Sequence, residues 1–404
     1  MKKLDNKSKL LFLSSRLPYP PIGGDRLKNY WLLKILSKYY KIHLVSIVEG
    51  TEIPEGFYDF ASQIKISYKL FPKRKISFYF NTLKGLLSNE PLQVNYYYFD
   101  DVQKYIDEIV DDYDILFATL IRTAKYVMNL KDKPRFIYMA DSIAQNYLRS
   151  KKKTKSLRWK LIYSVEAPRL LKFEQKCVNS FNKTFLVNSD EANFFNNPEK
   201  VIWIPNGVDE KLLTYDNISK DYSNCVVFFG KMDYQPNIDA SIWFIENVLP
   251  KLNKEIIFMV VGANPSKRLI EIAEKNPRVK ITGFVEDPYI ILKSSLVVVA
   301  PMQTGAGIQN KVLEAMALGC LVITSSLSAK PIGGRHNEHF LIIDNPEEIA
   351  KTINKIKEDP KKHEYIKENA KRYIKEKFTW SIKEKELIKC IEEVLNDYQS
   401  KSTA

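Results

Sequence analysis

Short apolar runs alternate with helical patterns along this chain, and the alternation occurs twice. The first set of runs occupies residues 10–15, 42–48, 114–120, 135–141 and 184–189, and the second occupies 225–230, 256–262, 279–285, 296–301, 321–326 and 339–344. Runs of this length separated by helices are typical of parallel sheets with helices on their faces. The pattern therefore predicts an α/β protein built from two halves.

A polar stretch with little periodicity, residues 210–223, separates the two halves and predicts a linker. We expect an N-terminal domain over residues 1–209, a C-terminal domain over 224–380, and a last helix over 381–404 that packs back toward the N-terminal domain. Ligands of parallel sheets bind at the carboxyl ends of strands, so two facing halves would enclose a larger crevice between them.

Composition narrows the classes of partner and compartment. Lys and Arg outnumber Asp and Glu by 62 to 48, which favours anionic partners but also fits a lysine-rich, solvated surface. The four cysteines form no CxxC pair, which argues against a disulfide framework or zinc site. No apolar stretch approaches the roughly 20 residues of a membrane span. We expect a soluble or peripheral protein.

The segment QTGAGIQNKVLEAMALGCLVITSS, residues 303–326, begins at the predicted carboxyl end of a strand. Gly305 and Gly307 form a small-residue loop there, and a helical pattern follows until Gly319, an expected helix end. The first N–H groups of a helix lack partners, and the helix dipole favours an anion beside them. The segment is therefore a candidate anion-binding site.

Lys311 and Glu314 are neighbours on one face of that helix, because they are three residues apart. A cation near the helix start and an acceptor one turn later suit the phosphates and ribose of a nucleotide. A surface Lys–Glu pair on an amphipathic helix has the same spacing. Spacing alone leaves both interpretations open.

An ordered set of segments resembles the retaining glycosyltransferases of family four, which have the GT-B fold, and most strongly a bacterial exopolysaccharide or capsule subgroup. The segments are RLPYPPIGGDRLKNYWLLKILSKYYKIHLVSI, YSVEAPRLLKFEQKCVNSFNKTFLVNSDEA, IPNGVD, FFGKMDYQPNIDASIWFIENVLP and ITGFVEDP, with residues 303–326. The resemblance covers nearly the whole chain. It implies two Rossmann-like parallel-sheet domains facing across a cleft, the second of which binds a nucleotide-sugar.

The resemblance implies roles for the residues after the glycine loop. Glu314 matches the second glutamate of the family's paired-glutamate motif, which holds the nucleotide ribose. The first glutamate would fall at Ala306, so this chain lacks it, as does the subgroup's glycine–alanine–glycine version beginning at Gly305. Backbone N–H groups of Gly307 and Ile308 would then contact the donor sugar.

The resemblance also implies positive charge beside the diphosphate. Relatives carry an Arg after the glycine of the second domain's first strand, and a Lys several residues later. Here Lys231 follows Gly230, and Pro236 stands at the second position. Lys311 would supply the missing charge. Asn237 is a secondary candidate, since an N-cap of the next helix explains it equally well.

Two further candidates lie in the first half. Gly23 and Gly24 of PPIGGDR permit close backbone approach, Asp25 is a candidate helix cap, and the resemblance brings this loop near the donor phosphates and the acceptor. Asp141 ends a strand where many relatives carry an active-site histidine. An isolated carboxylate at a strand end also suits a helix cap.

The sequence predicts no metal site and no cofactor. The segment DYD, Asp112–Asp114, resembles a metal-binding DxD, but it precedes a predicted strand and so lies at the wrong end for ligands. The four histidines lack further ligands nearby. Glu166 and Glu174 share a long predicted helix and are open to two interpretations, part of an acceptor surface or solvated helix charges.

Two basic, aromatic regions suggest an anionic membrane surface as a partner. PKRKISFYFNTLKGLLSNEPLQVNYYYFD mixes Lys and Arg with many aromatic residues, and KKKTKSLRWK occupies residues 151–160. Such mixtures suit anionic lipid headgroups. Core aromatics beneath a solvated basic face would give the same composition.

We therefore predict a retaining glycosyltransferase that moves a sugar from a UDP- or GDP-type nucleotide-sugar to a glycan or lipid-linked acceptor in bacterial surface polysaccharide synthesis. Asp141, Lys231 and Lys311 are its expected catalytic residues. The expected location is cytoplasmic, peripheral on the inner face of the plasma membrane, with no nucleic-acid partner.

Two alternatives belong to other classes. A sugar-nucleotide epimerase of the same architecture needs paired carboxylates and histidines, which the sequence does not offer. A basic nucleic-acid-binding protein would bind in a strongly salt-dependent way and without affinity for nucleotide-sugars.

Overall fold

The computed structural model describes residues 7–86, 88–154, 156–305 and 307–402. The chain divides into two compact units, Met1–Ile204 with Glu384–Ala404, and Pro205–Lys383. This division comes a few residues before the boundary expected after residue 209, and residues 210–223 belong to the second unit. Residues from Glu384 onward group with the first unit.

The first unit contains, in its described residues, a seven-stranded parallel sheet of order β3-β2-β1-β4-β5-β6-β7. Its strands are β1 (Lys9–Ser14), β2 (Lys41–Glu49), β3 (Ser67–Lys73), β4 (Ile115–Thr119), β5 (Arg135–Ala140), β6 (Lys183–Leu186) and β7 (Val201–Trp203). Its helices are α1 (Gly24–Leu36), α2 (Gly56–Gln63), α3 (Lys75–Leu86), α4 (Leu92–Tyr96), α5 (Asp100–Ile109), α6 (Leu120–Val127), α7 (Ile143–Lys153), α8 (Leu157–Ser180) and α9 (Ser189–Phe194).

Four buried phenylalanine rings stack across the centre of this sheet. Phe12 on β1 and Phe117 on β4 are register partners with ring centroids 5.4 Å apart. Phe136 on β5 and Phe185 on β6 continue the row at 6.3 and 6.4 Å. Each fully buried ring stabilises the fold by roughly 1.5–3 kcal/mol. The four rings lie on strands that the apolar runs of the sequence predict.

Strand β3, which the sequence analysis did not predict, is the edge strand of the first sheet. It pairs with β2 in parallel register, and its residues are exposed or half-buried. Its Pro72 lacks a backbone N–H and so is tolerated at an edge, where one side of the strand needs no partner. An exposed, lysine-containing edge strand has no apolar run, which explains why the pattern missed it.

The second unit contains, in its described residues, a six-stranded parallel sheet of order β10-β9-β8-β11-β12-β13. Its strands are β8 (Cys225–Phe229), β9 (Ile257–Val261), β10 (Val279–Gly283), β11 (Val297–Ala300), β12 (Val322–Thr324) and β13 (Leu341–Ile342). Its helices are α10 (Gln235–Asn247), α11 (Lys267–Glu274), α12 (Tyr289–Ser294), α13 (Asn310–Ala317), α14 (Ser326–Ala329), α15 (Pro346–Glu358) and α16 (Glu364–Lys377), and α17 (Trp380–Ser402) begins at its end.

Both units are Rossmann-like α/β domains with parallel sheets, as the sequence predicts. In each sheet the strand order reverses once, between β1 and β4 in the first unit and between β8 and β11 in the second. Loops that leave these two pairs of strands diverge to opposite faces and open a crevice at their carboxyl ends. Ligand-binding residues are therefore expected at these two positions.

Candidate active site

The turn after β8 lies very close to the backbone of the neighbouring strand. Gly230 and Gly262 both have positive φ, 150° and 152°, and a Cβ added to Gly262 would lie 1.8 Å from the Gly230 carbonyl oxygen. The Gly230 N–H donates to the Val261 carbonyl at 3.0 Å. Glycine at both positions lets the carboxyl ends of β8 and β9 meet, so the turn at Gly230 is held in place.

The loop after β11 carries the predicted glycines. Gly305 and Gly307 adopt left-handed conformations with φ of 111° and 81°, while Ala306 lies outside the described residues. A Cβ on Gly305 would come 3.8 Å from Pro236 Cβ, so this loop approaches the start of α10. The loops that leave β8 and β11 therefore lie together at the point where the strand order reverses.

Helix α13 begins behind this loop, as predicted, and its N-cap Gln309 forms no side-chain capping hydrogen bond. Val312, Ala315 and Met316 are buried. The helix ends at Gly319, where φ is 72° and the Cys320 N–H donates to the Ala315 carbonyl at 2.9 Å. This is a Schellman-type end that needs a left-handed residue, so glycine is favoured there.

Lys311 is buried, with 9% of its surface exposed, and its ammonium faces neutral partners. Nζ donates to Asn237 Oδ1 at 2.5 Å and lies 4.7 Å from the Phe228 ring centroid. It also lies 3.7 Å from Met302 Sδ. Burial lowers the pKa of Lys311 to about 7. Because the amide and the ring are uncharged, the protonated ammonium can still bind an anion.

Glu314 is half-buried one turn further along α13. Burial raises its pKa to about 7, and the positive charge of Lys311 opposes that rise. Its negative charge helps to raise the pKa of the Tyr289 hydroxyl, after burial as the larger cause. Glu314 and Lys311 thus interact electrostatically, as expected for neighbours on one helix face.

Asn237 is not the N-cap of α10, which corrects one of its two interpretations. The N-cap is Tyr234, and Asn237 lies in the first turn with its side chain buried. Nδ2 donates to the Lys231 carbonyl at 2.8 Å, while Oδ1 accepts from Lys311. The amide therefore fastens the Gly230–Lys231 turn to the buried ammonium of α13. The Lys231 side chain itself is exposed and pairs with Asp233 at 3.0 Å.

Two residues of the segments that carry the resemblance have no role assigned to them in the sequence analysis. Asn206 of IPNGVD donates from Nδ2 to Asn310 Oδ1 at 3.2 Å, which ties that loop to the start of α13. Phe284 of ITGFVEDP follows β10 at the carboxyl edge of the sheet and is 77% exposed. An aromatic residue at the end of a predicted strand, at the edge of the sheet where ligands bind, could have pointed to Phe284. No local signal pointed to Asn206.

In the first unit, the PPIGGDR loop joins β1 to α1. Gly23, with φ of 95°, is the N-cap of α1, so Asp25 is not its cap. Asp25 lies in the first turn, where its Oδ2 is 3.2 Å from Arg16 Nη1. A Cβ on Gly24 would meet open space, so close approach to another part of this unit does not require glycine there.

Asp141 follows β5, directly after Ala140, whose left-handed φ of 65° is uncommon for a residue other than glycine. It is not a helix cap, because Ser142 caps α7 by accepting from the Gln145 N–H. Asp141 as a whole residue is exposed, but neighbouring protein desolvates its carboxyl group. Surrounding protein, and secondarily the charge of Glu191, raises its pKa to about 6.

Two buried glutamates hold the start of α7 beside Asp141. Glu174 accepts from Ser142 Oγ at 2.7 Å and from the Ala144 N–H at 3.0 Å. Glu191 accepts from the Ser142 N–H at 2.6 Å and pairs with Arg149. The solvated interpretation of Glu174 is therefore wrong.

Glu166 is buried as well, which corrects its solvated interpretation. Its Oε2 accepts from the Leu92 N–H at 2.8 Å, and its Oε1 lies 3.2 Å from Arg169 Nη1. Glu166 thereby ties α8 to the start of α4. Its role is to join two helices of the first unit.

The DYD segment lies where the sequence predicted. Asp114 Oδ2 accepts from the Lys9 N–H at 2.8 Å, at the amino ends of β1 and β4. Among residues 7–86, 88–154, 156–305 and 307–402, no group of three His, Cys, Asp or Glu side chains is placed to hold a metal ion. Over the same ranges no helix is both long and apolar enough to cross a bilayer.

The arrangement of the second unit is typical of domains that bind a nucleotide. A Rossmann-like sheet presents two glycine turns, a helix start and a buried ammonium at its point of strand reversal, which is a typical nucleotide-phosphate site. Residues 223–359, within this unit, match the family model described as glycosyl transferases group 1.

Curated proteins of two organisms are similar to this chain in sequence. An uncharacterized 44.6 kDa protein in the cps region of Klebsiella pneumoniae is 23% identical over 86% of this chain and 90% of its own length. An uncharacterized glycosyltransferase of Methanocaldococcus jannaschii is 32% identical over 37% of this chain and 40% of its own length.

Solved structures share the fold over nearly all of both chains. HepE from Anabaena in complex with UDP-glucose superposes with a TM-score of 0.67 at 17% identity, covering 96% of this chain and all of that one. Sucrose-phosphate synthase from Thermosynechococcus elongatus gives 0.65 at 13% identity, covering 97% and 100%. The fold is GT-B, and the family match with the curated relatives supports a glycosyltransferase.

Proposed function

We propose that this protein transfers a sugar, with retention, from a UDP- or GDP-type nucleotide-sugar to a glycan or lipid-linked acceptor in bacterial surface polysaccharide synthesis. One observation carries the proposal. At the strand reversal of the second unit, the turns at Gly230 and Gly305–Gly307 flank a buried lysine that no carboxylate of the described residues pairs with directly. The likeness to family four and the K. pneumoniae cps-region relative support the finer assignment.

The diphosphate would lie against Gly230, Gly307, Ile308 and the start of α13. Backbone N–H groups there carry partial positive charge from the helix dipole. Lys311, when protonated, adds a positive charge in a position that Asn237 fixes. Lys231 adds a second charge at the surface, where Asp233 offsets part of it. The phosphate leaving group would thus be stabilised by preorganised donors.

The nucleoside would lie further along the same edge. The Glu314 carboxylate would accept hydrogen bonds from the two ribose hydroxyls. The exposed ring of Phe284 offers a surface on which a base can stack. Aromatic stacking tolerates any base, so it is consistent with either UDP or GDP. Asp141 of the first unit would bind the transferred sugar.

We infer that transfer needs no metal ion. Departing diphosphate requires compensating positive charge, and lysines with a helix start can provide it in place of a divalent cation. The departing phosphate oxygen would take the acceptor's proton, so that the protein positions the reactants and stabilises charge. An anomeric NMR signal of the product with the same configuration as the donor sugar is the expected outcome.

The acceptor would be presented at a membrane surface. Helix α3 exposes Ile76, Tyr79, Phe80 and Leu83, whose spacing puts them on one face, and the start of α8 likewise exposes Leu157, Leu161 and Val165. Lysines and arginines flank both helices. Exposed apolar faces with basic borders suit the interface of an anionic membrane, and peripheral attachment to its cytoplasmic side follows from the proposed substrates.

A nucleotide-binding measurement tests the proposal. The melting temperature of the full chain should rise with UDP or GDP, and Glu314→Gln should lower the affinity for that nucleotide about tenfold, the scale of one charge-assisted hydrogen bond. Glu274→Gln, an exposed glutamate on α11, is the matched control and should bind like the wild type. Equal affinity of a folded Glu314→Gln variant would remove the ribose role.

A further inference from the structure

Among the residues that the structure describes, the strand reversal of the first unit brings together two guanidinium groups, of which only that of Arg16 forms an ion pair with a carboxylate. Arg16 follows β1, and Arg122 lies in the first turn of α6, after β4. Arg16 Nε donates to the Tyr97 hydroxyl at 3.1 Å, and the Arg122 guanidinium lies 4.9 Å from the Tyr97 ring centroid. Tyr97 therefore stands between the two arginines and brings both to one place.

Arg122 is incompletely satisfied. Its Nε reaches Gln93 Oε1 only at 3.4 Å, while its Nη1 is buried and makes no hydrogen bond within the described residues. Burial lowers the pKa of Arg122, and the nearby positive charge of Arg16 adds to that effect. A buried cationic N–H without an acceptor is unfavourable by itself, and a bound anion is one arrangement that would satisfy it.

The surroundings are arranged around this pair. Gln93, whose Oε1 faces Arg122, donates from Nε2 to the Tyr147 hydroxyl at 2.9 Å. Asp25 contacts Arg16 at 3.2 Å, and the negative charge of Glu49 also acts on Arg16. The Arg16 side chain is 38% exposed, which leaves a route from solvent. The cluster therefore has a guanidinium, that of Arg122, which no carboxylate of the described residues contacts directly, together with fixed geometry and access.

We propose that Arg16 and Arg122 form an anion subsite in the first unit that binds a phosphate-type group of the acceptor. The inference rests on the proposed function, in which the acceptor is presented at a membrane surface beside α3 and α8 of the first unit. Planar guanidinium groups match the oxygen geometry of phosphate and bind it through paired hydrogen bonds. The subsite lies where the strand order of this sheet reverses, the expected ligand position. The sources of such a group are a lipid-linked diphosphate and a free phosphate.

Calorimetric titration of the full chain with inorganic pyrophosphate tests the subsite. UDP is added first in excess, so that the nucleotide site of the second unit does not take up the probe. Arg122→Gln and Arg16→Gln should each weaken pyrophosphate binding about tenfold or more, the scale of a lost charge-assisted pair. Arg122→Lys keeps the charge without the planar group and should recover part of the loss. Arg158→Gln, an exposed arginine on α8, is the matched control.

The outcomes separate the two proposals. Failure of UDP to bind counts against the proposed function, whereas pyrophosphate binding that is unchanged in Arg122→Gln and Arg16→Gln overturns the subsite. Tighter Arg122-dependent binding of farnesyl diphosphate than of pyrophosphate identifies the lipid-linked source, and equal binding identifies the free one. Glucuronate bound as tightly as pyrophosphate would contradict the phosphate assignment. The thermal stability of Arg122→Gln should be unchanged or higher, and a marked loss would indicate a structural role instead.

Discussion

At the scale of single residues, the unusual group is the buried ammonium of Lys311. Its hydrogen-bond partner is an amide oxygen of Asn237 and not a carboxylate. A buried lysine in direct contact with a carboxylate has its charge offset there, whereas the direct hydrogen-bond partner of this one is neutral. Burial also lowers its pKa to about 7, so its protonation state changes near neutral pH. Nucleotide binding should therefore depend on pH through this residue.

The first prediction concerns the affinity for UDP. Lys311 is protonated below its folded pKa and loses its charge as the pH rises through it, so the Kd for UDP should increase about tenfold between pH 6.5 and 9. Glu314, whose raised pKa lies near the same value, ionises in the same range and acts in the opposite direction. The difference between wild type and Lys311→Met isolates the lysine.

Isothermal titration at several pH values measures this dependence. Lys311→Met should bind UDP more weakly than the wild type at pH 6.5, and the gap should narrow toward pH 9. Lys254→Met, at an exposed position in the same unit, should follow the wild-type curve. Parallel curves for wild type and Lys311→Met would show that the buried ammonium does not meet the phosphate.

At the scale of secondary-structure elements, α7 is held by carboxylates of two other helices. Glu174 of α8 and Glu191 of α9 both accept from the first backbone N–H groups around Ser142. Carboxylates suit the positive end of a helix dipole. Because Asp141 immediately precedes Ser142, its position depends on these contacts. The two acids thus fix the backbone next to Asp141 through the helix that they anchor.

The second prediction concerns the pH dependence of stability through Glu174. Burial raises its pKa from 4.5 to about 7, while its hydrogen bonds oppose the shift. The folded state therefore retains a proton that the unfolded state releases between these values, and stability falls as the pH rises from about 4.5 through 7. Glu174→Gln should weaken this fall. Between pH 5 and 7.5, the free energy of unfolding of the variant should decrease by about 1 kcal/mol less than that of the wild type.

Urea denaturation at both pH values provides the measurement. Glu368→Gln, at an exposed position of α16, should leave the pH dependence unchanged. If wild type and Glu174→Gln lose stability by the same amount between pH 5 and 7.5, the raised pKa is not the source of the effect.

At the scale of the whole molecule, two properties follow from the distribution of charge. The formal net charge is +14, and the exposed apolar faces of α3 and α8 lie among basic residues. If the protein binds a membrane as proposed, positive charge would attract it to an anionic surface and apolar side chains would then hold it there. Separately, the candidate site offers lysines and backbone N–H groups for a diphosphate, where other enzymes use a cation.

The third prediction concerns membrane binding. The protein should cosediment with vesicles of phosphatidylglycerol and phosphatidylcholine and only weakly with phosphatidylcholine alone. Lys151→Glu with Lys152→Glu should lower the affinity about tenfold or more, since each basic residue near such a surface contributes roughly 1 kcal/mol. Phe80→Ser should weaken binding without changing the charge. Leu327→Ser, an exposed leucine of the second unit, is its control. Equal binding to both kinds of vesicle would remove the electrostatic argument.

The fourth prediction concerns metal ions. Sugar transfer by the purified protein should continue in excess EDTA, because fixed N–H groups and lysines stabilise the departing diphosphate. Turnover with and without chelator, using the nucleotide-sugar identified by the binding measurements, decides the matter. Loss of transfer with EDTA and its recovery with magnesium or manganese would contradict the metal-free mechanism.

The strand pattern and the position of the glycine loops were predictable from the sequence. Strands β8 and β11 are apolar over their whole length, and β1 is apolar from Leu10 to Leu13, because helices cover both faces of a parallel sheet. Gly305, Gly307 and Gly319 occupy left-handed positions that few other residues tolerate, so local chemistry marks the loop and the end of α13. These signals are local, and each can be read without knowing which strands are neighbours.

Only the tertiary structure decided how the polar side chains pair. Lys311 and Asn237 are 74 residues apart, and the sheet order brings their helices together at the ends of β8 and β11. Arg16 and Arg122 meet for the same reason at β1 and β4. Glu174, which by sequence is one charge on a long helix, is buried as the anchor of α7. Hydrophobic periodicity determines which face of an element is buried, whereas the partner of a polar group depends on which strand ends become adjacent.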